Sequence, residues 1–210
     1  MTKRFFDFIA AFLGLVVLSP VFAVIAIAIK IDSPGPIFYR GVRVGRDGRS
    51  FKIFKFRSMI TDAEKIGSTS TSNTDSRVTG MGKIIRKFKL DEFSQLINVL
   101  VGDMSIVGPR PQVQWAVDVF TEEEKKVLVL RPGITDWASI RFHNEGEIIA
   151  KSGIADPDEA YLKLIHPEKM KLQLKYLREQ SFLIDLLIIL KTLSTLFFSR
   201  IVKRTNNLGG

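Results

Sequence analysis

An unbroken apolar run near the N-terminus constrains this chain more than any other feature. No charged residue occurs from Phe8 to Ile29. A straight helix over this run would be roughly 33 Å long, enough to cross a bilayer core. The run is longer than the apolar region of a signal peptide, and no small-residue cleavage site precedes Lys30. We therefore expect the segment to stay in the membrane.

Pro20 interrupts this run at its centre. Proline removes a backbone donor, and its ring clashes with the carbonyl of Val16. Ser19 can satisfy backbone groups that the proline frees, so a sharp bend at Ser19–Pro20 is tolerable inside lipid. Basic residues flank the run on both sides, and positive flanks favour the cytoplasm. They are Lys3, Arg4, Lys30, Arg40, Arg43 and Arg46. A re-entrant helix broken at Ser19–Pro20 satisfies both flanks, and a kinked helix that crosses the membrane is the alternative.

The composition limits the class of function. The chain has 210 residues, is 46% hydrophobic and 25% charged, and so suits one globular domain with a membrane element. A net charge of +9 favours nucleic acid, anionic lipid or phosphorylated substrates as partners. The absence of cysteine excludes disulfides, thiolate nucleophiles and Cys–zinc sites. His143 and His166 lack metal-ligand spacing to a partner.

The rest of the chain predicts an α/β, mainly helical domain. Ile37–Met59 contains two aromatic, partly alternating runs around an Asp47-Gly48 turn, which predicts a β-hairpin. Helical spacing predicts two short helices within Met81–Ser105 and a helix over Asp156–Gln180 with a break at Pro167. Further signals are local: a capping box of Thr121 with Glu124, an Asp156 N-cap with Pro157 and Glu159, a polar loop over Ser68–Ser76 and a turn-rich loop over Arg131–Ser139.

The last apolar stretch, Ser181–Arg204, differs from the first because charged residues interrupt it. These are Asp185, Lys191 and Arg200. Such a pattern is wrong for a span and typical of a helix that lies in the membrane interface or on the core. We therefore divide the chain into a membrane helix (1–32) and a catalytic domain (33–210) that ends in an interfacial helix over about 181–204.

A carboxylate pair, Asp91-Glu92, follows three basic residues, Arg86, Lys87 and Lys89. Neighbours on a helix point about 100° apart, so one carboxylate can address a substrate while the other holds a cation. A helix start favours phosphate, and Arg110, held between two prolines, offers a bidentate fork. The carboxylate pair and the basic residues together predict phosphoryl transfer with Mg2+. The alternative is that an acidic pair at a helix start only complements the helix dipole.

From Thr2 to Thr195 the order of segments resembles the bacterial sugar transferases that start cell-surface glycan assembly. These are the monotopic polyprenol-phosphate phosphoglycosyl transferases, and the chain resembles their small form. The most specific match is GKIIRKFKLDEFSQLINVLVGDMSIVGPRP, and KRFFDFIAAFLGLVVLSPVF, FKIFKFRSM, RPGIT and SFLIDLLIILKT also match. The chain departs from the family's frequent Gly-Trp-Ala at Asp136–Ala138 and from its Asp-x-Tyr-Tyr at Gln173–Tyr176. We assign neither the sugar nor a catalytic role for the second stretch.

The resemblance implies a reaction and its residues. A UDP-sugar and polyprenol (undecaprenyl) phosphate would give polyprenol-diphospho-sugar and UMP, at the cytoplasmic face of the bacterial inner membrane. Asp91 would be the nucleophile, and Glu92 would help it place Mg2+. Arg86 and Arg110 would hold the phosphates, and Ser19-Pro20 would mark the break in a re-entrant helix.

An alternative from another class is a membrane-anchored basic module that binds nucleic acid or anionic lipid. Aromatic and basic residues interleave in FKIFKFR, as on a nucleic-acid surface. Binding by such a module should fall uniformly with salt and should not depend on Asp91. Turnover by the enzyme should require both Mg2+ and Asp91. We expect the enzyme, with no nucleic-acid partner.

Overall fold

The computed structural model of the chain describes residues 2–63, 66 and 75–206, with side chains described as far as residue 195. Within these residues the protein is mainly helical, as the sequence predicts, and it has three two-stranded sheets. The predicted loop over Ser68–Ser76 lies outside the described residues except for its last two positions.

The first helix, α1, runs from Thr2 to Asp32 and continues through Pro20. Proline leaves the Val16 carbonyl without its usual donor, and the Ser19 hydroxyl donates to that oxygen at 2.8 Å. The expected break at Ser19–Pro20 is therefore a local change of hydrogen bonding within one continuous helix, and no separation into two helices is seen. The re-entrant course stays a prediction.

Helix α1 is buried only towards its two ends. Ala11 lies in a cluster with Val99, and Ile29 lies in another with Phe56 and Ile85. Between these ends, residues 12–24 include no buried side chain. In the described part of the chain, α1 is also the one helix long and apolar enough to cross a bilayer, with a mean hydropathy of 2.8 and 11% of its most apolar window buried. Both ends of α1 thus contact the same domain, while its apolar middle is exposed.

The predicted hairpin over Ile37–Met59 is confirmed as two nested antiparallel pairs. Strand β1 pairs with β4 and β2 pairs with β3, with Phe38 opposite Phe56 and Val44 opposite Ser50. Asp47 (φ 56°) and Gly48 (φ 74°) form the turn in the left-handed region, which this dipeptide favours. The strands are β1 Phe38–Tyr39, β2 Val42–Val44, β3 Ser50–Lys52 and β4 Lys55–Phe56.

The two short helices expected within Met81–Ser105 are confirmed as α2 (Gly80–Lys87) and α3 (Leu96–Val101), joined by a 3-10 turn over Leu90–Gln95. The chain then forms β5 (Ser105–Val107), which pairs in parallel with β6 (Gly133–Thr135). The prediction of a loop over Arg131–Ser139 was wrong, because three-residue strands are too short to show a period in the sequence.

Of the remaining helices, those that begin after Thr121 and Asp156 were predicted from local signals. Thr121 and Glu124 form a reciprocal capping box. Asp156 caps its helix, although Glu159 bonds Lys163 instead of completing a box. The bounds are α4 Gln114–Asp118, α5 Glu122–Lys125, α6 Trp137–Arg141, α7 Glu145–Lys151, α8 Pro157–Leu164, α9 His166–Glu179 and α10 Phe182–Asn206. Of these, α4, α6 and α7 were not predicted.

Helix α10 is tied to the start of α1 through a buried carboxylate. Asp185 is 5% exposed, forms an ion pair with Lys3 and accepts a hydrogen bond from the Tyr176 hydroxyl at 2.6 Å. Phe182 packs edge-on against Phe6 at 5.3 Å between ring centroids. The Asp185 carboxylate, whose charge is unfavourable in a transmembrane helix, therefore serves to pack α10 against α1 and Tyr176. The opposite face of α10 exposes Leu183, Leu186, Leu187, Leu190 and Leu193.

Candidate active site

Asp91 and Glu92 lie in the first turn of the 3-10 segment over Leu90–Gln95. The hairpin is joined to this segment by side-chain hydrogen bonds. The Ser94 hydroxyl donates to the Phe54 carbonyl at 3.1 Å, and Asn98 accepts from the Phe54 N–H at 2.8 Å. Asn98 also donates to the Lys52 carbonyl at 3.0 Å. These bonds place the end of the hairpin beside the two carboxylates.

The end of the hairpin places the Lys55 ammonium beside the two carboxylates. Its Nζ lies 3.5 Å from Asp91 Oδ2 and 3.4 Å from Glu92 Oε1. One ammonium therefore contacts both predicted catalytic carboxylates. The sequence shows Lys55 only as one of several basic residues in the hairpin, and its role was missed.

Arg110 lies after β5 and faces Glu92. Its Nη1 donates to Glu92 Oε2 at 3.1 Å, and its Nη2 donates to Glu92 Oε1, so the pair is bidentate. Burial by itself would raise the pKa of Glu92, but the charges of Arg110 and Lys55 outweigh it and hold that pKa well below its usual range. The Glu92 carboxylate raises the pKa of Arg110 in turn.

Two glycines let the turn that carries Arg110 approach β6. The Gly108 N–H donates to the Thr135 carbonyl at 3.0 Å, and the Gly133 N–H donates to the Pro109 carbonyl at 2.9 Å. A Cβ atom on Gly133 would lie 2.1 Å from the Gly108 nitrogen, far inside any tolerated contact. The position of Arg110 therefore depends on the absence of side chains at both residues.

Asp136 stabilises the turn that carries Arg110 through side-chain hydrogen bonds. Its carboxylate is fully buried, accepts from the Arg110 N–H at 3.3 Å and from the Ser139 N–H at 2.6 Å. Gln173, also buried, donates to Asp136 Oδ2 at 2.9 Å. The two positions at which the sequence departs from the family pattern are thus hydrogen-bonded to each other.

Arg86 lies on the other side of Asp91, near the end of α2. Its Nε donates to the Ser58 hydroxyl at 3.1 Å. Burial lowers the pKa of Arg86, and the charge of Asp91 opposes this shift. The structure therefore brings Asp91, Glu92 and Arg110 together through direct contacts and Lys55, and it places Arg86 within electrostatic reach of Asp91.

The carboxylates fit Mg2+ only in part. Mg2+ in phosphoryl-transfer sites is held by one or two carboxylates together with substrate phosphates. Both oxygens of Glu92 already face cations, so Asp91 is the more available ligand. In the described part of the chain no group of three or more His, Cys, Asp or Glu could hold a metal. The site fits a Mg2+ ion bound largely through the substrate.

A pocket of about 220 Å³ opens beside Lys55 and Arg110. Its opposite wall comes from helices α4, α7, α8 and α9 and includes Trp115, Glu145, Tyr161 and Lys169. Sequence reasoning missed these residues, because they come from four separate helices and no local spacing links them to Asp91.

The fold and the site define a class of protein: a small helical domain with a long apolar helix and a centre of two carboxylates contacted by lysine and arginine. Such a centre suits chemistry on phosphate groups. The chain belongs to the bacterial sugar transferase family, whose model matches residues 1–199.

Curated relatives agree with this family. The chain is 37% identical over 197 residues to the UDP-N-acetylgalactosamine-undecaprenyl-phosphate N-acetylgalactosaminephosphotransferase of Aeromonas hydrophila, covering 92% of this chain and 43% of that protein. It is 37% identical over 202 residues to the UDP-glucose:undecaprenyl-phosphate glucose-1-phosphate transferase of Escherichia coli (strain K12), covering 91% and 39%. It is 31% identical over 215 aligned positions to the exopolysaccharide production protein ExoY of Sinorhizobium fredii, covering 95% and 87%. The chain thus spans less than half of the first two relatives.

Proposed function

We propose that this protein transfers a sugar phosphate from a UDP-sugar to undecaprenyl phosphate, giving undecaprenyl-diphospho-sugar and UMP. The observation that carries the proposal is the contact of Lys55 with Asp91 and Glu92 and of Arg110 with Glu92, beside a pocket that Lys55 and Arg110 line. Two relatives are named as transferases that use a UDP-sugar and undecaprenyl phosphate, which supports the same substrates here.

The reaction proceeds in two displacements at one phosphorus atom. A carboxylate oxygen of Asp91 attacks the phosphorus that carries the sugar, the bond from that phosphorus to the UMP oxygen breaks, and UMP leaves with the electron pair. A phosphate oxygen of undecaprenyl phosphate then attacks the same phosphorus, and Asp91 leaves as a free carboxylate. Covalent catalysis of this kind divides one difficult step into two easier ones.

The neighbouring cations favour both displacements. Lys55 lies close enough to Asp91 to offset the negative charge that gathers as phosphate approaches a carboxylate. Arg110 carries five N–H donors, more than the two oxygens of Glu92 use, so it can bind phosphate while Glu92 holds its orientation. Arg86 adds a second guanidinium near Asp91. Mg2+, when bound, neutralises charge on the diphosphate.

The docking of α1 supports a monotopic arrangement, and a re-entrant course is the form of it that we propose. A helix that crosses the membrane has its ends on opposite sides of a hydrocarbon core about 30 Å thick. Here the N-terminal end contacts the domain through Asp7 and Ala11, and the C-terminal end contacts it through Ile25 and Ile29. One charged domain cannot meet both ends across a bilayer. The active site then lies at the cytoplasmic face, where the soluble donor meets the lipid phosphate.

The order of events at Asp91 tests the proposal. Enzyme mixed with its UDP-sugar and Mg2+, without the lipid, should release at most about one UMP per active site. The peptide that contains Asp91 should gain the mass of a sugar phosphate. Asp91→Asn should abolish both signals, whereas Glu92→Gln should lower turnover and leave the adduct on Asp91. Direct attack by the lipid would instead give no UMP and no adduct until lipid is added, and that result from an active enzyme would overturn the proposed mechanism.

A further inference from the structure

We infer that the pocket beside Lys55 and Arg110 receives the sugar ring of the donor, and that Trp115, Glu145 and Lys169 on its far wall select among sugars. The inference rests on the proposed function, because it takes the sugar phosphate to be held at Asp91. In that reaction UMP departs while the sugar stays on the enzyme. The sugar therefore needs a site of its own that remains after the nucleotide has left.

A buried charge pair forms part of the far wall. Lys169 is 4% exposed, yet its Nζ lies 3.5 Å from Glu145 and 4.9 Å from the centre of the Tyr161 ring. A buried ammonium is costly unless it is paired. Glu145, by contrast, is more than one-third exposed at its side chain, on the wall of the pocket. The pair therefore fixes a donor and an acceptor at one end of the pocket.

Trp115 supplies a second donor. Its Nε1 atom is buried and finds no acceptor among the described residues, although the ring lines the pocket. Buried N–H groups almost always have a partner, and this one has none in the described part of the chain, so a small shift of the indole ring would let it donate to a ligand in the pocket. The indole ring also meets Tyr161 edge-on at 6.2 Å between centroids, and the Tyr161 hydroxyl donates to Gln112 at 3.2 Å. These contacts hold the ring in place.

The size and the chemistry of the pocket suit a single sugar ring. Its volume of about 220 Å³ is smaller than the roughly 300–1,000 Å³ of sites for drug-sized ligands, so it suits one sugar ring better than a whole nucleotide sugar. Each sugar hydroxyl both donates and accepts, whereas carboxylate only accepts and ammonium only donates. Glu145 and Lys169 therefore fix the direction of each hydrogen bond, and a sugar with one inverted or replaced hydroxyl leaves a charged group unpaired.

The test compares the ranking of donors between variants. Initial rates of UMP release would be measured with UDP-glucose, UDP-galactose and their 2-acetamido counterparts, with undecaprenyl phosphate and Mg2+ present. For Glu145→Gln and Trp115→Phe we expect kcat/KM ratios between these sugars to change by about tenfold or more. The matched control is Glu179→Gln, which removes an exposed carboxylate 3.9 Å from Lys175 on α9 and should keep the wild-type ranking.

Inhibition by UMP separates the sugar from the nucleoside. If the pocket binds the sugar, the inhibition constant of UMP should stay within about twofold of the wild-type value in both variants. A parallel loss of UMP affinity would mean that the pocket binds uridine, and a change confined to the KM of the lipid would mean that it binds the acceptor. Either result overturns the inference, as does an unchanged ranking in both variants.

Failure of the proposed function gives a different result. If the wild-type protein releases no UMP from any UDP-sugar, the function itself is wrong and the inference is rejected with it. If the wild type turns over and the ranking does not move, only the inference fails. Should Glu145→Gln lower the melting temperature, Trp115→Phe decides the question, because it keeps an aromatic ring and removes only the N–H donor and part of the area.

Discussion

Several side chains of the candidate active site form hydrogen bonds or ion pairs with residues that are distant in the sequence. Asp91, Glu92 and Arg110 could be predicted because they lie in one continuous segment with recognisable spacing. Lys55 reaches Glu92 across 37 positions, and Gln173 reaches Asp136 across 37 positions. Such contacts depend on the tertiary fold, and no local period encodes them.

The Asp136–Gln173 hydrogen bond predicts a coupled response to mutation. Gln173→Asp alone would remove the amide donor and bring a second carboxylate near Asp136 in a buried site, and we expect a loss of about 1–3 kcal/mol in the free energy of unfolding. Asp136→Gly alone leaves the buried Gln173 amide and the Arg110 N–H without their acceptor, and we expect a loss of about 1–3 kcal/mol in the same free energy. The double variant relieves the repulsion, so its loss should be smaller than the sum. Urea unfolding in detergent measures all three, and additivity within about 0.5 kcal/mol would contradict the coupling.

The ion pair of Glu92 predicts a pH dependence of stability. Because the folded-state pKa of Glu92 lies below its ordinary value of 4.5, the carboxylate contributes fully above about pH 4.5 and loses its contribution as pH falls. We expect wild type to exceed Glu92→Gln by about 1.5–3 kcal/mol near pH 7 and to lose that advantage progressively as pH falls from about 4.5 towards the lower folded-state pKa of Glu92. Urea titrations across this range measure the difference. A difference that stays constant down to pH 3 would show that Glu92 does not carry it.

Most elements with local sequence signals match their predictions, although the helix break expected at Ser19–Pro20 is not seen. The capping box of Thr121 with Glu124 and the Asp47-Gly48 turn are encoded by residues within a few positions of each other. The parallel pair β5–β6 was not predicted, because it joins Ser105 to Gly133 in strands of three residues. The course of α1 in the membrane depends on a local sequence signal, Pro20, and on the tertiary contacts that dock its two ends.

Ser19 and Pro20 together offer a test of the course of α1. Replacing them by Ser19→Ala and Pro20→Leu restores a backbone donor for Val16 and favours a straight helix that crosses the membrane. Because the chain has no cysteine, Thr2→Cys introduces a single thiol at an exposed position. In the otherwise native chain this thiol should react with a membrane-impermeant reagent only from the cytoplasmic side. In the double variant a substantial fraction should react from outside.

A thiol on the globular domain serves as the control for the side of labelling. Lys175→Cys, on the exposed face of α9, should label from the cytoplasmic side in both backgrounds, because the domain does not move. Ser19→Ala alone keeps the proline and should leave the labelling unchanged. Outside labelling of Thr2→Cys in the native background would show that α1 crosses the membrane.

The whole molecule presents an apolar layer next to a basic domain. The exposed middle of α1 and the exposed leucines of α10 supply the apolar layer, and the net charge of +9 favours anionic headgroups and phosphorylated substrates. The nucleic-acid alternative finds less support. Phe56 is 1% exposed, and Phe54 lies under the Arg40 guanidinium at 3.5 Å, so these rings of FKIFKFR are not free to stack on bases.

The bond between Lys3 and Asp185 joins residues 182 positions apart. This separation determines how long the first residue waits for its partner during translation. At roughly 5–20 residues per second, a ribosome needs about 10–40 s to make the second partner after the first. Helix α1 emerges early, and its contacts with Phe56, Ile85 and Val99 become available one after another. The nascent anchor must therefore spend many seconds without the domain that later holds both of its ends. During that interval only lipid, or a helper at the ribosome exit, can shield its apolar surface from water.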